Sequence, residues 1–296
     1  MRVTLKQLQV FDAVARTGSI GRAAEEIALS QSAVSVALKE LESGLGVLLF
    51  ERHKKRLTLN ENGRRLQPRA RAVMQQVLEL EGYAANAALT GTLRVAAGTT
   101  CGTFLLPAIC ARFSERYPGV VLKLTVTSST DVLDRVDSMR QDVGIIESMS
   151  HRTSLRLTPW FLDEMVVFCA PDHPLAGRLV EPAELGEARW CLPALGSFTR
   201  YSMSAALSAS QIQIRTHLES NNAEALKRAV AAGAGIGCLS RLAIAAEIGR
   251  GELATIGLRG VALERTMNII TRNDVYRGEL VDAFIRACME VDPARA

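Results

Sequence analysis

Residues 5–59 read LKQLQVFDAVARTGSIGRAAEEIALSQSAVSVALKELESGLGVLLFERHKKRLTL and contain three segments in which apolar residues recur at helical spacing. Gly18 is placed to end the first predicted helix, because glycine is favoured at helix ends. Ser19 and Ser30 can cap the second and third helices, because a serine hydroxyl accepts from the first free backbone N–H groups. Two short helices, a tight turn and a third helix form the helix-turn-helix arrangement.

The third predicted helix has two different faces. Val34, Leu38 and Leu41 lie on the buried face, and the opposite face carries small and polar side chains that suit the major groove of DNA. Residues 48–59 have apolar ends and a basic centre, which is typical of a β-hairpin wing. The predicted DNA-binding residues are Arg22, Gln31, Ser32, Ser35, Val36, Lys39, Arg52, Lys54, Lys55 and Arg56. The alternative is an ordinary three-helix packing unit without a ligand.

The positive charge of the chain is concentrated in this part. The formal net charge is +4, and residues 1–90, with 13 basic against 9 acidic residues, hold the whole excess. Within residues 52–71, eight basic residues accompany the single acid Glu61. Most charge runs are solvated faces, but a polyanion is the usual partner of such a local excess. The neighbouring helix-turn-helix favours a phosphate-contacting surface.

A long linker helix is predicted from a cap at Asn60 to about Leu89, and roughly 30 residues at 1.5 Å each would span roughly 45 Å. Its apolar residues alternate in steps of four and three, the period of a coiled coil. The predicted dimerisation residues are Leu66, Ala70, Val73, Val77 and Leu80. A dimer would present two helix-turn-helix units to two half-sites of DNA. The alternative is a helix that lies on its own C-terminal domain.

From Gly91 onward, apolar runs alternate with helical patterns, which predicts an α/β domain with mostly parallel strands and helices on both faces. We therefore predict a DNA-binding domain at 1–59, a linker helix at 60–90 and a ligand-binding domain at 91–296. The glycine-rich run at 233–237 follows a helix and precedes a strand, which is the wrong order for a dinucleotide-binding loop.

Hydroxyl-rich segments follow several predicted strands of this domain. Ligands of open α/β sheets bind beyond the carboxyl ends of strands, where helix N-termini offer N–H donors to anions. The predicted effector-binding residues are Thr99, Thr100, Thr103, Ser128, Ser129, Glu147, Ser197, Thr199, Arg200 and Asn222. Each hydroxyl could instead be a helix cap without a ligand, but four such clusters together favour a small polar or anionic molecule.

Two charged members of this set have open roles. Arg200 could supply a cation to the ligand, or it could form a surface salt bridge. Glu147 would need protonation or a basic partner if it pointed into an anion site. It could instead pair with Arg200 or orient a bound polar group.

The N-terminal run from LKQLQVF to LGVLLFER (residues 5–52), followed by LTLNENG (57–63), resembles the LysR-type transcriptional regulators. The sequence departs from the family at Ser32, where proline is common, and at Val36, which can contact a thymine methyl. The resemblance implies a winged helix-turn-helix, a linker helix and a periplasmic-binding-protein-like domain of two α/β subdomains around a cleft. Subdomain I would comprise 91–161 plus 266–296, and subdomain II 162–265.

The segments GTTCGTFLLP, DVGIIE, LGSFTR and AVAAGAGIGCLS resemble the branch of regulators of sulfur assimilation and carbon fixation. This branch implies a small anionic effector, such as sulfite, sulfate or a small carboxylate, and no cofactor. The resemblance also implies promoter DNA as a partner, a homotetramer built from dimers, and RNA polymerase as a further partner.

Other functions are disfavoured by composition. No stretch approaches the roughly 18 apolar residues of a membrane span, and no signal-peptide core is apparent, so we expect a cytoplasmic protein. The six cysteines and four histidines show no metal-ligand spacing, which favours packed thiols and no metal site. No catalytic constellation is apparent. The alternative functions are an α/β enzyme or a solute-binding protein with an accessory helix-turn-helix.

Overall fold

The computed structural model describes residues 3–53, 56–85, 89–147, 149–208, 212, 214–273 and 277–291. The chain divides into two compact units. The first comprises residues 1–91 with 274–283, and the second comprises residues 92–273 with 284–296.

The first unit is a winged helix-turn-helix followed by a long helix. Its elements are α1 (Leu5–Thr17), α2 (Ile20–Glu26), α3 (Gln31–Leu45), β1 (Phe50–His53), β2 (Arg56–Leu59) and α4 (Glu61–Ala85). The predicted caps are confirmed: Ser19 accepts from the N–H of α2, Ser30 accepts from the N–H of α3, and Gly18 ends α1 at a φ of 64°. Strands β1 and β2 pair antiparallel as the predicted wing.

The core of this unit lies where α1, α3 and the wing meet. Phe11, Leu41 and Leu49 are fully buried, and the rings of Phe11 and Phe50 meet edge to face at 5.6 Å. The turn between α2 and α3 contains Ala28, whose φ of 52° lies in the left-handed region. Alanine is strained there because its Cβ approaches the following carbonyl.

Helix α4 is anchored to this core at its start. Asn60 accepts from the N–H of Gly63 at 2.9 Å, which confirms the predicted cap. Gly63 is required because a Cβ at this position would lie 2.1 Å from the carbonyl oxygen of Leu49. Farther along, Arg71 donates to Asp12 of α1 at 2.5 Å. The first turns of α4 therefore belong to the DNA-binding unit.

Ten strands form the second unit in the ranges that the structure describes. They are β3 (Gly91–Ala97), β4 (Val120–Val126), β5 (Val143–Ile146), β6 (Leu155–Cys169), β7 (Leu179–Val180), β8 (Arg189–Pro193), β9 (Arg215–Ser220), β10 (Ile236–Ser240), β11 (Ala254–Leu258) and β12 (Glu264–Arg272). The helices of this unit are α5 (Thr99–Phe104), α6 (Leu106–Arg116), α7 (Ser129–Asp137), α8 (Phe198–Ser208), α9 (Ala223–Ala231) and α10 (Arg241–Gly249). A further helix, α11 (Glu279–Met289), has its first residues in the first unit and its last residues in the second. The main path of the sheet runs β4-β3-β5-β12-β6-β10-β8-β9.

Two long strands join two parallel blocks within this sheet. Strands β3 and β5 pair in parallel, as do β8 with β9 and β8 with β10. Strands β6 and β12 pair antiparallel from Leu155 opposite Arg272 to Glu164 opposite Glu264. We call residues 92–146 the first lobe, residues 189–249 the second lobe, and β6 with β12 the crossing strands. The expectation of mostly parallel pairing thus holds within each lobe but not in the crossing strands.

Five of the six cysteines are packed thiols, as predicted, and Cys110 is half-buried. Cys101, Cys169, Cys191, Cys238 and Cys288 are buried and unbridged. Burial raises the pKa of Cys169 to about 11 and that of Cys238 to about 12, so both thiols stay protonated near neutral pH. Within the described ranges, no group of three or more His, Cys, Asp or Glu residues could hold a metal ion. No helix in the described part of the chain is both long and apolar enough to cross a membrane.

Candidate functional site

The exposed face of α3 carries the predicted DNA-reading residues. Gln31, Ser32, Ser35 and Lys39 are all exposed, and Val36 is 56% exposed. The opposite face, with Val34, Leu38 and Leu41, is buried in the core. An isolated valine at the centre of a polar face fits contact with a thymine methyl in the major groove.

Arg22 is exposed on α2, close to the turn that joins α1 to α2. Its guanidinium donates to the carbonyl of Thr17 at 2.7 Å, which holds the guanidinium against the C-terminal end of α1. At the start of α3, the hydroxyls of Ser30 and Ser32 lie 2.9 Å apart. Positive charge and free N–H groups at a helix start suit a phosphate.

The wing is formed, but its basic residues stay predictions. The strands around the tip pair from Phe50 opposite Leu59 to His53 opposite Arg56. Lys54 and Lys55 lie outside the described residues, as do the side chains of Arg52 and Arg56.

The predicted dimerisation seam of α4 splits into two parts. Ala70 is only 2% exposed and Leu66 packs on the core of the helix-turn-helix, because the first turns of α4 lie against α1. Farther along, Val73 is 41% exposed, Val77 is half-buried and Leu80 is 69% exposed. Ala70 is therefore covered within its own chain, Leu66 is half-buried against the same core, and Val73 and Leu80 are the more exposed members of the seam.

A cleft of about 760 Å³ lies between the two lobes of the second unit. Its wall is rich in hydroxyl groups, and seven of the ten predicted effector-binding residues line it. They are Thr99, Thr100, Ser128, Ser129, Glu147, Ser197 and Thr199. The apolar part of the wall includes Phe104, Leu195 and Leu239. The hydroxyl clusters of both lobes therefore face the same space.

Three predicted effector-binding residues lie outside the lining. Thr103 is exposed on α5, and Asn222 caps α9 by accepting from the N–H of Glu224 at 2.9 Å. Arg200 donates to Glu219 at 2.6 Å and to the hydroxyl of Thr216 at 3.0 Å. The salt-bridge alternative for Arg200 is therefore the one observed, and Glu147 is not its partner.

Two longer helices begin at the cleft from opposite lobes. Ser128 caps α7 by accepting from the N–H of Asp131 at 3.2 Å. Ser197 precedes α8, and its carbonyl accepts from the N–H of Tyr201 at 3.0 Å. The positive ends of both helix dipoles therefore face the cleft, which favours a negatively charged ligand.

Among the described residues that line the cleft, Glu147 is the one with a charged side chain. It is 6% exposed and accepts from the hydroxyl of Ser129 at 2.6 Å and from the N–H of Thr100 at 3.3 Å. The carboxylate thus uses two donors of the first lobe.

A buried ion pair lies beneath the cleft where the crossing strands meet both lobes. Arg265 donates to Asp163 at 2.8 Å, and their side chains are 3% and 2% exposed. Arg265 also donates to the hydroxyl of Thr100 in the first lobe at 2.9 Å and to that of Thr199 in the second lobe at 2.8 Å. Its one guanidinium therefore connects both lobes with the crossing strands.

Burial dominates the protonation of the groups around this pair. Desolvation raises the pKa of Asp163, although the nearby Arg265 and a hydrogen bond from Ser240 act in the opposite direction. Burial likewise raises the pKa of Cys101 well above its usual value, and the nearby charges of Glu147 and Asp163 add to the increase. Cys101 therefore contributes a neutral thiol to this region.

A second connection between the lobes is made by Phe104 and Lys227. The ammonium of Lys227 lies 5.2 Å from the centre of the Phe104 ring, donates to Glu247 at 2.8 Å, and pairs with Glu224. Phe104 packs on the apolar cluster of the second lobe that contains Leu226. The two lobes therefore share both a polar and an apolar contact.

Sequence reasoning identified the hydroxyls of the cleft but missed the pair beneath it. Arg265 and Asp163 lie in two largely apolar runs, LERTMNII and FLDEMVVF, each beside an exposed glutamate, Glu264 or Glu164. A charged residue in a buried strand needs a partner of opposite charge. The presence of opposite charges in two such runs was therefore the sequence pattern that could have indicated a buried ion pair.

Comparison with known proteins identifies both units. Residues 5–64 match the bacterial regulatory helix-turn-helix proteins of the lysR family, and residues 86–293 match the LysR substrate binding domain. The chain is 40% identical over 294 residues to the uncharacterized HTH-type transcriptional regulator YeiE of Escherichia coli (strain K12), with 99% of each chain covered. It is 34% identical over 287 residues to the RuBisCO operon transcriptional regulator of Allochromatium vinosum, with 96% and 95% covered.

A solved structure supports the assignment of the second unit. The regulatory domain of CcmR from Synechocystis PCC6803, in complex with 2-PG, has a TM-score of 0.63 and 26% identity, and the match covers 68% of this chain and 96% of that one. The matching families and relatives are transcriptional regulators, which decides against the enzyme alternative. The chain belongs to the LysR family of bacterial transcriptional regulators, with an N-terminal helix-turn-helix domain for DNA and a C-terminal effector-binding domain.

Proposed function

We propose that a small anionic effector in the cleft of the second unit modulates how this regulator binds promoter DNA. The observation that carries the proposal is the convergence of α7 and α8, from opposite lobes, on one hydroxyl-rich cleft. Residues 1–59 would bind DNA, 60–90 would form the linker, and 91–296 would bind the effector. In the last of these, 91–161 with 266–296 would form subdomain I and 162–265 subdomain II.

The chemistry of the wall suits an oxyanion or a small carboxylate. The hydroxyls of Thr99 and Ser197 line the cleft and make no hydrogen bond to any described residue, so their donors are available to a ligand. Sulfite, sulfate and small carboxylates fit this donor set. The complex of the CcmR regulatory domain with 2-PG supports an anionic ligand. The RuBisCO operon regulator supports a link to central metabolism, and the resemblance to sulfur-assimilation regulators supports a link to sulfur.

On the DNA side, α3 would lie in the major groove, where Gln31, Ser32, Ser35, Val36 and Lys39 read bases or adjacent phosphates. The other proposed contacts are phosphate contacts and come from Arg22, Arg52, Lys54, Lys55 and Arg56. They would supply affinity that does not depend on sequence.

Effector and DNA would be coupled through closure of the lobes. Both lobes are attached to the crossing strands, and a ligand that contacts both lobes favours one separation over others. A changed separation would alter how the subunits of the oligomer present their helix-turn-helix units. We propose a dimer through Val73, Val77 and Leu80, a tetramer of two such dimers, and RNA polymerase as a further partner. A bacterial promoter-binding regulator would act in the cytoplasm.

A thermal-shift titration of the full chain tests the proposal. Sulfite, sulfate and small carboxylates are added to the wild type and to the double variant Thr99→Val with Ser197→Ala. We expect at least one anion to raise the Tm of the wild type, because a ligand that binds only the folded state stabilises it. The double variant should respond less, and the control Thr103→Val, on α5 but outside the lining, should respond like the wild type. If no anion in the panel raises the Tm of the wild type, the proposed effector class is wrong.

A further inference from the structure

Glu147 occupies a position in the cleft that the backbone makes room for. A Cβ on Gly98 would lie 2.4 Å from one oxygen of this carboxylate and 2.5 Å from the other, so any larger residue there would displace the carboxylate from its observed position. The hydroxyl of Ser129 and the N–H of Thr100 each donate to a different carboxylate oxygen. These two hydrogen bonds therefore fix the orientation of the Glu147 carboxylate in the wall of the cleft.

The surroundings of Glu147 do not cancel its charge. Arg265 is the nearby cation, but it is paired with Asp163 at 2.8 Å within the crossing strands. The thiol of Cys101, another titratable neighbour among the described residues, is kept neutral by burial. A fully ionised ligand would therefore meet the negative charge of Glu147 in a partly desolvated space, where like charges repel strongly.

The carboxylate can still accept further hydrogen bonds. An ionised carboxylate has about four acceptor positions, and the described contacts use two of them. A ligand O–H directed at Glu147 would fill a further position and turn the repulsion into a charge-assisted hydrogen bond. Helices α7 and α8 would meanwhile bind the negative end of the same ligand.

We propose that Glu147 selects anions that carry their own proton donor, such as a hydrogen oxyanion or a hydroxy acid, and rejects fully ionised anions of the same size. This inference rests on the proposed anion site in the cleft and specifies its ligand class. It makes Glu147 a specificity-determining residue.

Two matched pairs of probes test this selection by calorimetric titration of the full chain. At mildly alkaline pH, hydrogen phosphate and sulfate are both tetrahedral dianions, but only hydrogen phosphate carries a proton to donate. Glycolate and acetate are both monoanionic carboxylates, but only glycolate carries a hydroxyl. In at least one pair, we expect the wild type to bind the donor-bearing anion roughly 10- to 100-fold more tightly than the donor-free anion. The donor-free anion leaves the buried Glu147 carboxylate without a hydrogen bond and places a second negative charge beside it.

The Glu147→Gln variant then assigns the preference to this side chain. We expect it to reduce the preference to within roughly threefold, mainly by tighter binding of the donor-free anion, because the amide is neutral and offers an N–H. The exposed Glu187→Gln is the matched control and should keep the wild-type ratio.

The outcomes separate the two proposals. Equal binding of both members of each pair by the wild type, or an unchanged ratio in Glu147→Gln, overturns the role of Glu147 while the anion site stands. The wild-type comparison decides the matter even if the variant does not fold. Absence of binding by all four probes, together with no thermal shift from any anion in the panel, overturns the anion site and this inference with it.

Discussion

Replacing Arg265 with methionine is expected to destabilise the second unit by about 3–5 kcal/mol. Methionine fills a similar volume but removes the guanidinium, and Asp163 then stays buried at 2% exposure without its cation. Removing one partner of a buried pair typically costs about this much, because the remaining charge has lost its compensation. The hydroxyls of Thr100 and Thr199 also lose their donor.

The penalty should depend on pH in a defined direction. Burial already raises the pKa of Asp163, and removal of Arg265 would raise it further. A carboxyl whose folded pKa exceeds its unfolded value stabilises the fold below the unfolded pKa, about 3.9, and this contribution is lost as pH rises through the folded pKa. The penalty of Arg265→Met should therefore be larger at neutral pH than in mild acid.

Urea unfolding followed by tryptophan fluorescence measures this penalty. Both tryptophans of the chain, Trp160 and Trp190, lie in the second unit, so the signal reports that unit. Adding Asp163→Asn to Arg265→Met should recover most of the loss, because the buried charge is removed while Ser240 keeps an acceptor. The exposed Arg215→Met is the control. A loss below about 1 kcal/mol, or no recovery in the double variant, would refute the account of the buried pair.

Three further predictions concern the DNA-binding unit. Ala28→Gly should raise the free energy of unfolding of this unit by about 1 kcal/mol, because glycine adopts the observed φ of 52° without strain. The control Ala33→Gly, in the helical backbone of α3, should lower it by about 0.5–1 kcal/mol. Calorimetry of both variants checks this, and equal effects of the two substitutions would contradict it. Lys54→Ala with Lys55→Ala should weaken binding to every DNA duplex. The slope of log affinity against log salt concentration should become shallower by about 1.8, because two phosphate contacts are lost. Lys123→Ala in the second unit is the control, and an unchanged slope in the double variant would remove the wing from the DNA surface. Val77→Glu with Leu80→Glu should lower the association state measured by analytical ultracentrifugation, because the new charges would enter the coiled-coil seam. The control Leu195→Glu, at another exposed leucine, should leave the association state unchanged. An unchanged association state in the double variant would place the dimer contact elsewhere.

The first unit could be predicted from sequence because its signals are local. Gly18, Ser19, Ser30 and Asn60 each end or begin a helix through contacts with residues a few positions away. The faces of α3 follow from a period of 3.6 residues within one element. The extent of the dimerisation seam could not be predicted in the same way. Packing of α4 on α1 buries Ala70, and heptad spacing does not show which turns a neighbouring helix covers.

The second unit was harder to predict because its decisive contacts are distant in sequence. Strand β6 begins at Leu155, and alternating polar residues obscure the part of it that pairs with β12, so this pairing leaves a weak sequence pattern. Arg265 and Thr100 are 165 positions apart, so their contact leaves no local pattern. Hydroxyl clusters at strand ends were visible because each strand end and the following helix start are adjacent.

We propose that an anion in the cleft changes how the regulator binds DNA. The most direct measurement is the affinity and footprint of the full chain on a duplex of its own upstream region, with and without each anion at constant ionic strength. We predict that an anion that raises the Tm shifts the affinity or the footprint of the wild type, and that Thr99→Val with Ser197→Ala binds the same DNA without that shift. Identical footprints and affinities in the presence and absence of every stabilising anion would contradict the claim.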